Sequence, residues 1–148
     1  SRLTMYPLFS LKGEHIMLKK TITYTDYNGV ERTEDFYFNI SKAEAMQLEL
    51  TTNGGYAEMI KRVIDAKDGA TIVNVFKEFV LKAYGEKSPD GKYFYKVDEN
   101  GNPLSKKFEQ TEAYSELYME LALNAGAAAA FVNAVLPNDI STKENTAS

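Results

Sequence analysis

The chain has 148 residues, 44% of them hydrophobic, which is enough for one sizeable core and too few for two comfortable domains. A net charge of -4 and a pI of about 5.1 weigh against non-specific binding to nucleic acid or anionic membranes, which would need a basic surface. With no cysteine there is no disulfide or thiolate site, and no apolar run approaches the roughly 18 residues of a membrane span.

Residues 1–16, SRLTMYPLFSLKGEHI, have scattered apolar residues without capping or turn logic. Pro7 and its polar neighbours break any signal-peptide core. Lys12-Gly13-Glu14-His15-Ile16-Met17 can be reverse-translated as a purine-rich ribosome-binding sequence followed by a start codon. Residues 1–16 are therefore expected to be a translated leader, with a disordered extension as the alternative. N-terminal sequencing of natively expressed protein decides between them.

Residues 18–40 are rich in Thr, Ile, Tyr and Phe around Asn28-Gly29, a strong hairpin signal that predicts a type I′ turn. Ile22 and Tyr24 alternate with Thr21, Thr23 and Thr25, and Phe36 and Phe38 alternate with Asp35 and Tyr37. Each strand thus has one apolar face. An isolated hairpin is marginal, so this one must lie on helices.

Ser41 and Glu44 form a capping box that opens a short helix carrying Ala45, Met46 and Leu48, ended by the polar, glycine-rich run at 51–55. A second amphipathic helix is predicted over 56–67, with Tyr56, Met59, Ile60, Val63 and Ile64 inward. The chain is organised around the next stretch, TIVNVFKEFVLKAY, residues 71–84. Ile72, Phe76, Phe79, Val80 and Ala83 share one side at helical spacing, and only Asn74, Lys77, Glu78 and Lys82 stay polar. So apolar a helix is the core helix, with Asp68 as its N-cap and Gly85 as its stop. Turns at 86–91 and 98–103 bracket a short strand over 92–97. In the last block, from 105 to about 136, Thr111 caps a helix whose apolar face is Tyr114, Leu117, Tyr118 and Leu121. A break at 124–126 leads to a final helix bearing Phe131, Val132 and Val135, where Ala127 to Ala130 permit close approach. Residues 138–148 have no apolar periodicity and are expected to form a mobile tail. The expected fold class is α+β: an N-terminal β-hairpin on a small, mostly helical domain over residues 17–137, with one short additional strand or hairpin.

Chemistry is scarce. The single histidine, His15, lies in the leader, so beyond it no nucleophile and base of the usual kind can be assembled. The acidic run at 98–102 lacks calcium-loop spacing, and no glycine-rich phosphate cradle occurs. No catalytic, cofactor-binding or metal-binding residue is expected. Glu112, Glu116 and Glu120 recur every four residues and make an acidic ridge beside the Tyr118 face. Like charges at this spacing are mildly destabilising, so a basic partner would relieve them. These four residues are the candidate partner-binding site; a plain solvated face is the competing reading.

With these residues read, the segments MLKKTITYTDYNGVERTEDFYFNISKAEAMQLEL, FKEFVLKAYGEKSPDGKYFYK, FEQTEAYSELYMELA and AAAAFVNAVLP resemble one group of tail assembly chaperones, from long-tailed phages and prophages of Gram-positive bacteria. The resemblance spans residues 17 to about 140. Its most specific pieces are residues 84–96, with their Ser88-x-Asp90-Gly91 turn, and residues 110–116 with the Phe131-Val132-Asn133 helix. It implies a non-enzymatic cytoplasmic assembly factor, absent from the finished virion, that coats the aggregation-prone tape measure protein until tail tube subunits polymerise around it. A frameshifted longer form would recruit the tail tube protein. No cofactor, nucleic acid or membrane partner is implied. The alternative is a structural tail component, a tube or connector subunit.

Overall fold

Asn28-Gly29 turns the chain, but not as a type I′ turn. In the computed structural model, which describes residues 17–137, β1 (Leu18–Thr25) pairs antiparallel with β2 (Glu31–Phe38). The loop between them keeps Asn28 out of the left-handed region and places only Gly29 there, at φ 81°. Gly29 N–H donates to Asp26 O (2.9 Å) and Asp26 N–H to Val30 O (2.8 Å), a type I turn closed by a glycine bulge. The Asp26 carboxylate decides this outcome. It accepts from Asn28 N–H and Val30 N–H at 2.8 and 2.9 Å and pairs with Arg32 at 2.6 Å. The leader expected over residues 1–16 and the tail expected from residue 138 lie outside the described residues.

The hairpin is amphipathic, as its alternation requires. Leu18, Ile22, Tyr24, Phe36 and Phe38 face the helices, while Thr21, Thr23 and Thr25 face solvent. Thr21 donates to Asp35 (2.6 Å) and Thr23 shares a hydrogen bond with Thr33 (2.9 Å) across the outer face.

The capping box forms as expected and opens α1 (Lys42–Thr51): Ser41 Oγ accepts from Glu44 N–H, and the Glu44 carboxylate accepts from Ser41 N–H. Ala45 is buried, but Met46 is exposed. Glu49, near the end of α1, then caps α2 (Tyr56–Ala66) by accepting from Tyr56 N–H (3.0 Å) and Ala57 N–H (3.2 Å). A carboxylate suits the orphan donors and positive end of a helix N-terminus. Gly55 makes room for it, since a Cβ there would collide with the Glu49 carboxylate.

The core helix α3 (Gly69–Ala83) buries the five residues expected of it, Ile72, Phe76, Phe79, Val80 and Ala83. Its end differs from expectation. Tyr84 leaves the helix in an extended conformation, and the chain runs straight into β3 (Tyr84–Lys87), which pairs with β2. Gly85 is thus a buried strand residue and not a helix stop. A tight turn at Ser88 leads to β4 (Phe94–Tyr95), completing the order β1-β2-β3-β4. Ser88 Oγ donates to Asp90 and accepts from Tyr93 N–H.

The expected turn at 98–103 repeats the hairpin device. Asp98 accepts from Asn100 N–H and Asn102 N–H, and Gly101 takes φ 84°. One turn of helix, α4 (Ser105–Phe108), precedes α5 (Glu112–Leu123), capped by Thr111 as expected. Asn124 ends α5 and, through its side chain, caps α6 (Ala125–Val135). The fold is α+β, a sheet covered on one face by helices.

Two features lock the layers together. Phe108 sits at the centre of an aromatic cluster with Phe36, Phe38, Tyr84 and Tyr114. Lys96 donates to Asn39 O and Lys82 O, both at 2.8 Å, and to the Glu44 carboxylate at 3.1 Å. It thereby satisfies a terminal carbonyl of α3 and ties the end of β2 to α1.

Burial, the leading cause in each case, pushes the hydroxyls of Tyr56, Tyr84 and Tyr114 up to about 12 from an ordinary 10.0. The protonated phenols are favoured in the folded state. Their contribution is complete below pH 10 and is lost as pH rises through 12. Lys96 acts in the opposite sense: burial lowers its ammonium, so stability rises with pH in a window that ends at 10.5. The urea midpoint is therefore expected to fall steeply between pH 10 and 12, and Tyr56→Phe to flatten the fall. Identical pH profiles for the two proteins would remove Tyr56 from this account.

Candidate partner-binding surfaces

The acidic ridge of α5 lies alongside β1. The two run in opposite directions, so the start of the helix meets the hairpin loop and its end meets the start of the strand. Tyr27 O–H donates to Glu112 at 2.7 Å, and Lys20 Nζ pairs with Glu120 at 3.1 Å. The Glu112 hydrogen bond raises the Tyr27 hydroxyl above its ordinary range. Glu116, between them, is exposed and borders a groove of about 210 Å³ whose other walls include Thr21, Ile22, Thr23 and Leu117. Both contacts with the hairpin are solvent-exposed, so water and salt screen them and each contributes little to stability. They orient the ridge more than they stabilise the fold.

Tyr118 is not brought to this ridge. Ala113, Leu117 and Leu121 form the buried stripe of α5, and helical geometry puts the glutamates on one flank of it and Tyr114 and Tyr118 on the other. Tyr118 is half-buried, with its ring 5.7 Å from that of Tyr114, which in turn packs edge-on against Phe108. It is the outer end of an aromatic chain that starts in the core. The four expected site residues therefore occupy two flanks of one helix.

A second surface had no counterpart in the sequence reading. Ala57, Ile60 and Ile64 of α2 and Ala129, Val132 and Leu136 on and just after α6 line an open apolar groove of about 400 Å³. Glu58, Lys61, Asp65 and Asn133 add polar groups to its lining. The alanine run of α6 serves two purposes. Ala128 is buried in the core, whereas Ala129 lines the groove and its small side chain leaves it unfilled. The periodicity of Ile60 and Ile64 was visible, but not that α6 would lie opposite them. A third exposed feature is the stacked pair Tyr93 and Tyr95, with ring centroids 5.8 Å apart at the sheet's far edge.

Among the described residues, no three carboxylate or imidazole side chains converge as a metal site would require, and no helix is long and apolar enough to cross a membrane. What the arrangement offers is contact: an apolar groove between helices, a charged ridge and exposed aromatic edges. Neither the curated proteins nor the solved structures hold a significant match to the chain. A family model described as phage tail assembly chaperone matches residues 17–148, all but the first 16 residues of the sequence. The chain belongs to the phage tail assembly chaperone family.

Proposed function

We propose that this protein is a non-enzymatic tail assembly chaperone of long-tailed phages and prophages of Gram-positive bacteria. It binds the tape measure protein in the host cytoplasm and keeps it soluble until tail tube subunits polymerise around it. It is then displaced and is absent from the virion. Family membership across residues 17–148 carries the proposal. The α2–α6 groove supports it, because two helices lined with Ala57 and Ala129 make a seat for one apolar helix face of a partner. A longer, frameshifted form would add contacts to the tail tube protein.

Co-expression with the tape measure protein of the same gene cluster, followed by pull-down and size-exclusion chromatography, tests this. A soluble complex is expected, with the client aggregating when expressed alone. Self-assembly into rings or tubes without a complex would favour a tube or connector subunit instead.

Glu112, Glu116, Glu120 and Tyr118 are proposed as further partner contacts. Reversing the three glutamates to lysine is expected to weaken client binding about tenfold while leaving the circular dichroism spectrum folded. Unchanged affinity in a folded variant would remove the ridge from the client surface.

A further inference from the structure

The ridge has a neighbour that the client reading does not use. Among the described residues β1 is an outer strand of the sheet, with β2 on one side and no strand on the other. It runs from Leu18 to Thr25 in unbroken register with β2, without proline or bulge to blunt it. The Asp26 N–H bond to Val30 O fixes the alternation of the ladder. Lys20, Ile22 and Tyr24 therefore direct their main-chain groups at β2, and Thr21 and Thr23 direct theirs at the free edge. The two threonines also line the groove that Glu116 and Glu120 border from α5. Main-chain donors and acceptors that pair with no other described strand thus face a cleft with an acidic wall.

We infer that the free edge of β1 receives an extended, basic segment of a partner protein as an added strand, with its lysine or arginine side chains on the glutamate ridge. The spacings agree. Alternate residues of a strand stand about 6.8 Å apart, and carboxylates four residues apart on a helix stand about 6 Å apart. Lysines at every second position of the added strand therefore follow Glu112, Glu116 and Glu120 with little drift. Glu120 already pairs with Lys20 of β1 at 3.1 Å, so a lysine ammonium at this side of the sheet comes within reach of the ridge. Charge also selects against a second copy as occupant. Two chains paired edge to edge along β1 would bring two acidic ridges to one seam. This inference goes beyond the tape measure reading and stands or falls without it.

The test uses the full chain and a short synthetic peptide alternating lysine and valine, with fluorescence anisotropy for affinity and hydrogen exchange by NMR for position. Saturating peptide is expected to slow amide exchange at Thr21 and Thr23 about tenfold or more. N-methylation of the peptide along its bonding edge is expected to weaken binding about tenfold, and Glu116→Lys about fivefold. The peptide with glutamate in place of lysine is expected not to bind. No binding by the lysine peptide overturns the inference. So does binding without protection of Thr21 and Thr23, or equal binding by the N-methylated or glutamate peptides. A dimer in which Thr21 and Thr23 are already protected without peptide would give the edge to a second copy and overturn it as well.

Discussion

Phe108→Ala is expected to cost about 3–5 kcal/mol, the range for emptying a buried aromatic site. The residue is 2% exposed and contacts every layer of the fold. Its ring lies parallel to that of Tyr84 at 4.3 Å, and Phe36, Phe38 and Tyr114 surround it with centroids at 5.3, 5.8 and 5.7 Å. Hairpin, β3 and α5 therefore meet on one side chain. The backbone beneath it gives little support, because α4 is a single turn and cannot hold itself by helix cooperativity. Small domains have about 5–15 kcal/mol in total, so the variant should show a large fall in urea midpoint and lose definition over residues 97–111. Phe108→Leu should cost less by keeping part of the volume. A loss below about 1 kcal/mol for the alanine variant would show that the cluster closes over the cavity and does not depend on this ring.

Phe108 also marks the limit of what the sequence makes legible. The five buried positions of α3, the Ser41–Glu44 capping box and the alternating faces of the hairpin are set by neighbours within a few residues. Local pattern is sufficient for these. Phe108 sits in a run, SKKFEQ, with no periodicity of its own, and its partners are as distant in sequence as Phe36. Asn28-Gly29 failed as a type I′ signal for a local reason of a different kind. Asp26, two residues earlier, offers the turn a carboxylate that satisfies Asn28 N–H and Val30 N–H at once. The ridge was legible in the same partial way. Its four-residue period was plain, but its placement along β1 and the Lys20–Glu120 pair depend on how α5 packs on the sheet. Tyr118 and the glutamates border the same apolar stripe on opposite flanks, an arrangement that the helical spacing itself sets.

Gly85→Ala is expected to destabilise the protein by about 2–3 kcal/mol, the upper part of the overpacking range, although alanine is the smallest addition possible. Conformation is not the reason, for Gly85 is not among the glycines at positive φ. The reason is contact. A Cβ at this position would overlap the Phe94 ring edge and stand 2.6 Å from Tyr95 O. A ring can swing aside, but the carbonyl belongs to β4 and can move only if the strand moves. Glu86 and Lys87 pair with Tyr95 and Phe94, so displacement of β4 breaks that short ladder. It also withdraws Lys96, one residue beyond, from Asn39 O and Lys82 O, so both of those hydrogen bonds are lost, the first of them part-buried. Gly101→Ala is the control. Its φ of 84° is unfavourable to alanine, but nothing lies within 4 Å of the added carbon, so about 1–2 kcal/mol of backbone cost is expected with β4 undisturbed. Hydrogen exchange separates the two mechanisms. Gly85→Ala should expose the Ser88 amide, which donates to Tyr93 O across the turn, whereas Gly101→Ala should leave it protected. Phe94→Ala added to Gly85→Ala should recover only part of the loss, because the carbonyl remains. Full recovery would assign the effect to the ring alone and leave β4 free to keep its place.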